Sequence, residues 1–250
     1  MSAFTDRVGV QSYSFRAFKD NRKVIELLKT CNLSRVELCG VHVNFADTAS
    51  FDQVIKLYHS NAIAIDSIGV QLISDQEEMA ANCFEFAKRA GVTTMSVNFK
   101  PETVPQSLRI AEKLAEKYDL RLAIHNHGGR HWLGSVQMLR HIFSMTSQRI
   151  GLCLDTAWAL DSGEDPIAMA EQFADRLYGL HLKDFVFDRA RKPKDAILGE
   201  GNLDLKKFVS TLRKIDFKGY AVIEYEGDEL NPVTAIQRCI EAVKNLETKA

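Results

Sequence analysis

Apolar and polar positions along the chain follow two rhythms. Short runs rich in aliphatic and β-branched residues begin near Val8, Arg35, Ile63, Thr93, Arg121, Ile150, Leu177 and Gly219, at intervals of 27, 28, 30, 28, 29, 27 and 42 residues. Runs of this length and composition predict buried strands. Each is followed by a stretch of helical periodicity. Met79, Cys83, Phe84 and Ala87 recur at helical spacing, and Ile236, Cys239, Ile240, Val243 and Leu246 repeat the stripe near the C-terminus.

Local chemistry marks the helix ends. Ser50-Phe51-Asp52-Gln53 and Ser74-Asp75-Gln76-Glu77 have the form of capping boxes, in which the serine and the third residue on satisfy each other's free N–H groups. Asp165-Pro166 and Asn231-Pro232 place an acceptor before a proline that can open a helix, and Gly91 sits where a left-handed residue would close one. Strands alternating with helices at one βα period predict an α/β fold, a (β/α)8 TIM barrel. An open doubly wound sheet would show fewer units and a glycine-rich phosphate loop after the first strand, which Val10-Gln11-Ser12-Tyr13-Ser14-Phe15 does not supply. No linker or change of composition divides the chain, so residues 1–250 read as one barrel domain. The long last interval marks an insertion after the seventh strand, on the face where barrel active sites are built.

Composition narrows the functional classes. The chain has 250 residues, with 32 Lys plus Arg against 33 Asp plus Glu, a net charge of −1. That balance, with no basic block, argues against a nucleic-acid partner. No apolar run nears the ~20 residues that span a bilayer, and the start Met1-Ser2-Ala3-Phe4-Thr5-Asp6-Arg7 has no apolar signal segment. A cytoplasmic, soluble protein is expected. Cys31, Cys39, Cys83, Cys153 and Cys239 form no C-x-x-C pair and lie among apolar neighbours, so buried reduced thiols are expected.

Polar residues that interrupt the strand runs carry the candidate chemistry. They are His125 ending the fifth run, Asp155 after the sixth, His181 within the seventh, Glu224 ending the eighth, and Glu37 in the second. Each is costly there unless paired or bound to a metal. Strand ends of a barrel converge, so two imidazoles and two carboxylates could share one divalent ion. Such a set suits manganese, cobalt, iron or zinc better than magnesium. Asn98 ends the fourth run and could bond a hydroxyl. Trp132 and His131 follow the fifth and could border the pocket. His42, His59 and His141 read as surface or helix residues.

The motifs Leu122-Ala123-Ile124-His125-Asn126-His127-Gly128-Gly129, Leu154-Asp155-Thr156, His181-Leu182-Lys183-Asp184, Gly199-Glu200-Gly201 and Val222-Ile223-Glu224 resemble the xylose-isomerase-like barrel superfamily of sugar epimerases, sugar-phosphate isomerases and inosose dehydratases. The resemblance covers the second half of the chain well. It implies a small carbohydrate substrate, a possible homodimer, and one divalent ion held by residues at the positions of His125, Asp155, His181 and Glu224. The sequence departs from that pattern at His125, where the family has Glu. Ligand charge falls from −3 to −2 and the family's pair of proton-exchanging glutamates is lost, leaving Glu224 as one. A second acid or base would come from His127, Lys183 or Glu37. Trp158 replaces a substrate-binding His and offers a flat platform for a sugar ring. Phe187 stands near a substrate-binding Arg of some relatives, which points away from phosphorylated substrates. The first expectation is a metal-dependent sugar isomerase or epimerase working through a metal-stabilised enediolate. The alternative is a metal-dependent lyase or hydratase that eliminates a β-substituent from a 3-keto-sugar or keto-glycoside, which the asymmetric ligand set favours.

Overall fold

A computed structural model describes residues 4–247. The first three residues, part of the start read for a signal segment, and the last three lie outside them. The strands are β1 Val8–Gln11, β2 Arg35–Leu38, β3 Ala64–Ile68, β4 Gln71–Ile73, β5 Thr94–Phe99, β6 Arg121–His125, β7 Ile150–Asp155, β8 Leu177–Leu182, β9 Asp184–Phe187, β10 Pro193–Ala196 and β11 Tyr220–Ile223. Nine of them form one parallel sheet in the order β3-β2-β1-β11-β8-β7-β6-β5-β4. The first and last barrel strands meet, with Val8 opposite Ala221 and Val10 opposite Ile223, so the sheet wraps round on itself. The fold is the expected TIM barrel.

Its one opening lies within the third run. The expected strand from Ile63 is two pieces: β3 pairs with β2 and β4 with β5, and between them stand Gly69 and Val70, joined by a cis peptide bond. At Gly69 a Cβ would collide with the Ser96 hydroxyl and the Glu37 carboxylate, so this stretch of backbone lies directly on two buried polar side chains.

The helices are α1 Asn21–Thr30, α2 Phe51–Ser60, α3 Glu77–Ala90, α4 Gln106–Tyr118, α5 Val136–Ser144, α6 Thr156–Asp161, α7 Pro166–Gln172, α8 Leu205–Lys214 and α9 Val233–Glu247. Their apolar stripes bury against the sheet. In α3 the buried residues are Ala80, Cys83, Phe84, Phe86, Ala87 and Ala90. Met79, read as part of that stripe, is 73% exposed, and Ala80 occupies the inward position. In α9, Ile236, Cys239, Ile240 and Val243 are buried as expected. Gly91 closes α3 with φ 74°, and Asp165 caps α7 by accepting from Ile167 N–H ahead of Pro166. Neither capping box forms. Ser50 donates to Asp47 O instead, and Ser74 accepts from Gln76 N–H in a turn before α3. Short polar side chains serve turns as readily as helix ends, and here the turns win. Pro232 directly precedes α9, one residue earlier than the helix-opening position assigned to it.

All five cysteines are buried and unpaired. His42, read as a surface or helix residue, is 5% exposed. The insertion after the seventh run is an antiparallel hairpin, β9 with β10, with Phe187 opposite Pro193 and Asp184 opposite Ala196. Asp184 anchors the loop between this hairpin and α8, accepting from the N–H groups of Gly199, Gly201, Asn202 and Leu203. Burial raises the Asp184 carboxyl pKa, and backbone N–H groups of Leu203, Gly201, Gly199 and Phe185 oppose the rise. Among the described residues no helix is long and apolar enough to cross a membrane.

Candidate metal centre and cavity

The parallel strands end together, and their C-terminal ends place four donors in one cluster. One ligand atom each from His125, Asp155, His181 and Glu224 lies within 4.8 Å of all the others. Asp155 ends β7 and caps α6. One carboxylate oxygen, Oδ1, accepts from Trp158 N–H at 2.8 Å, which turns the other, Oδ2, into the cluster. Asn126 holds the neighbouring chain ends together, its amide accepting from Asp155 N–H at 2.8 Å and donating to Asp155 O at 3.0 Å. Asn126 is a buried positioning residue with no role expected from its place in the sequence between two histidines.

His125 Nε2 and Asp155 Oδ2 face each other at 3.5 Å, ion-pair distance, yet neither makes a hydrogen bond among the described residues, and both atoms are fully buried. A buried polar atom left without a partner costs ~1–3 kcal/mol. Two such atoms side by side mark a place for something that bonds both.

His181 is held from two sides. Its Nδ1 lies 2.7 Å from Glu224 Oε2 and its Nε2 lies 2.7 Å from Glu37 Oε2. Glu37 is fully buried, with Ser67 Oγ donating to its other oxygen at 3.2 Å and Ser96 Oγ donating to that same oxygen. Glu37 is therefore placed behind His181, away from the cavity wall, where it orients the imidazole. Burial works against a charged His181, but the Cys153 thiol and the Glu37 and Glu224 carboxylates raise its pKa well above the ordinary imidazole value. Burial pushes Glu224 upward, and Lys183 and His181 outweigh it to hold the carboxyl far below its usual range.

A cavity of about 510 Å³ opens over this cluster, with His125, Glu224, His127, Trp158, Asn98, Gln11, Tyr13, Cys39, Val70 and Glu226 in its wall. Asp155 and His181 are buried behind the wall. His127 stacks on Trp158, with ring centroids 4.2 Å apart and planes at 21°, and Phe185 meets the indole edge-on at 4.9 Å. Burial lowers the His127 pKa, reinforced by His125. Lys183 is 1% exposed. Its ammonium pairs with Glu226, has Asp195 at 4.0 Å, and lies 5.3 Å from the Trp158 ring centroid. Burial lowers the Lys183 pKa, but Glu224, Asp155, Glu226 and Asp195 raise it further, above the ordinary lysine value. Glu226 and Asp195 are site residues that no sequence motif marks. Glu226 follows the last strand, and Asp195 arrives on β10, accepting from Glu226 N–H at 3.0 Å. Asn98 lines the cavity, whereas Trp132 turns to the core and donates from Nε1 to Phe99 O at 2.9 Å.

The xylose isomerase-like TIM barrel family model matches residues 78–246. The chain belongs to that family. Within this TIM barrel family it is similar to the rhizopine catabolism protein MocC of Rhizobium meliloti, with 30% identity over 141 residues, 50% of this chain and 43% of that protein. The chain thus spans about half the length of MocC. It is also similar to an inosose dehydratase of Bacillus cereus (strain AH820), with 25% identity over 251 residues, 92% of this chain and 82% of that protein. Among solved structures, the IolI protein with a bound zinc atom superposes with a TM-score of 0.76 at 16% identity, covering 97% of this chain and 98% of that one.

Proposed function

We propose that this barrel is a metal-dependent lyase that removes the acidic proton beside the carbonyl of a small keto-sugar or keto-glycoside and expels a β-substituent. The observation that carries the reading is the facing pair of buried, unbonded atoms, His125 Nε2 and Asp155 Oδ2, inside a four-donor cluster at a cavity wall. His125, Asp155, His181 and Glu224 would hold one divalent ion, and two imidazoles with two carboxylates fit zinc, manganese, iron or cobalt better than magnesium. When bound, the ion supplies Lewis-acid polarisation of the carbonyl. That IolI was solved with zinc and that a relative matching 92% of this chain is named an inosose dehydratase both support this class of chemistry.

The protein's own groups divide the remaining work. Glu224, held ionised by Lys183 and His181, faces the cavity and takes the proton. Trp158 and Asn98 orient the ring, the indole under a sugar face and the amide toward a hydroxyl. His127, neutral and stacked on Trp158 in the cavity wall, donates a hydrogen bond to the departing group, which leaves with the proton that Glu224 has taken. Lys183 stays fixed between Glu226 and Asp195 and sets the field around Glu224.

One observation supports a second reading. His127 follows β6 while Glu224 follows β11, and both line the cavity, so a proton taken by one group could be returned by the other, giving epimerisation. Incubating the metal-loaded enzyme with keto-sugars and keto-glycosides in deuterated water separates the two. An unsaturated or cleaved product supports the lyase. Deuterium at carbon with an intact skeleton supports the epimerase and overturns elimination.

A further inference from the structure

Just past the end of β2, the cavity wall carries a second chemical group that the proposed reaction does not use. Cys39 lines the cavity, and its thiol sulfur lies 3.7 Å from His42 Nδ1. The other ring nitrogen of His42, Nε2, lies 3.0 Å from Phe18 O. A carbonyl can only accept, so Nε2 carries the hydrogen and Nδ1 presents its lone pair to the thiol. Ser12 completes the arrangement: its hydroxyl accepts from Cys39 N–H at 2.9 Å and lies 3.3 Å from the sulfur, to which it can donate. A nucleophile, a base with its tautomer fixed by a third group, and a donor aimed at the sulfur are the parts of an activated thiol. Burial lowers the His42 pKa, leaving it neutral and able to accept a proton, and burial keeps the Cys39 thiol protonated at rest. No other cysteine among the described residues combines this set with a place in the cavity wall. Cys31, Cys83 and Cys239 have no imidazole partner, and Cys153 lies fully buried beside Tyr220 and His181.

We propose that Cys39 with His42 is a covalent modification site for α,β-unsaturated carbonyl compounds small enough to enter the cavity. The thiol adds to the β-carbon: the S–C bond forms as the carbon–carbon π bond breaks, and the electron pair passes to the α-carbon and its carbonyl. The thiol proton moves to His42 Nδ1 and from there to the α-carbon, so no oxidant or reductant is needed. The link to physiology rests on the lyase reading, because β-elimination from a keto-sugar releases a compound of this class. The enzyme would then be labelled by its own product.

The test uses N-ethylmaleimide, itself an α,β-unsaturated carbonyl compound, on the intact protein, with intact-mass kinetics and peptide mapping. The first adduct forms at Cys39, and Cys39→Ser removes it. His42→Gln keeps a donor for Phe18 O but removes the base, and slows labelling about tenfold or more. If that variant fails to fold, Ser12→Ala, which removes the donor to the sulfur, replaces it and must also slow labelling. First labelling at another cysteine, or labelling of the folded variant at the wild-type rate, overturns the proposal. A separate arm incubates the enzyme with a keto-glycoside. A sugar adduct on Cys39 supports the link to the lyase, while maleimide labelling without any sugar adduct keeps the thiol site and removes the product link.

Discussion

Replacing Glu37 with Gln should weaken metal binding while leaving the barrel folded. Glu37 is the buried acceptor for His181 Nε2 at 2.7 Å, and that bond leaves Nδ1 pointed at the donor cluster. A glutamine keeps the shape and one acceptor oxygen for the imidazole, and Ser67 and Ser96 can turn to meet its amide. What disappears is the negative charge that makes His181 a more basic donor. Loss of such a supporting carboxylate lowers metal affinity ~10–100-fold. An ion at about 100 times the wild-type Kd stabilises the fold by ~2.7 kcal/mol. In the variant the same concentration would be about 10 to 1 times Kd, and the stabilisation falls to ~1.4–0.4 kcal/mol. For a chain of this size, the metal-induced rise in Tm should shrink by about 3–9 °C. The assay is thermal melting with and without zinc or manganese, paired with chelator competition for Kd. Equal Kd and equal Tm shifts in wild type and Glu37→Gln would refute the positioning role. Glu37→Ala should in addition lower Tm without any metal, because it strands His181 Nε2 in the core.

Three further outcomes test other parts of the site. His125→Glu raises the ligand charge from −2 to −3 and should move metal preference toward magnesium and manganese; unchanged preference by competition would contradict the charge argument. Trp158→Ala removes the plate beneath His127 and should raise KM for a keto-sugar about tenfold, since ring stacking is worth ~0.5–1.5 kcal/mol; an unchanged KM would make the indole a packing residue only. Asp184→Ala leaves four backbone N–H groups after the hairpin without their acceptor and should cost about 3 kcal/mol in urea unfolding, with a loss under 1 kcal/mol (roughly one ordinary hydrogen bond) counting against the anchoring role.

The barrel was readable because its signal is redundant: eight apolar runs at one βα period leave few other folds. The four clustered donors were readable for a related reason. Each interrupts an apolar run at a strand end, where an unpaired polar group is expensive, and parallel strands bring their ends together. Where no such penalty acts, the sequence carried no signal. Glu226 lies beyond the last strand in a stretch with no apolar run to interrupt, and its place depends on Lys183 and on Asp195 from a hairpin 31 residues away. The break between β3 and β4 was equally hidden, because Gly69 fits a continuous strand as well as a close passage over Glu37 and Ser96. Trp132 and Trp158 show the same limit from the other side. Both follow a strand end and both are amphipathic, but Trp132 finds an acceptor in Phe99 O and turns inward, while Trp158 begins a helix capped by Asp155 and so stays at the cavity. The cap and the cluster-facing oxygen belong to one carboxylate. Any change at Asp155 that frees the helix end should therefore disturb the aromatic wall and the donor cluster together, so that under the proposed function substrate orientation and metal affinity should change in step.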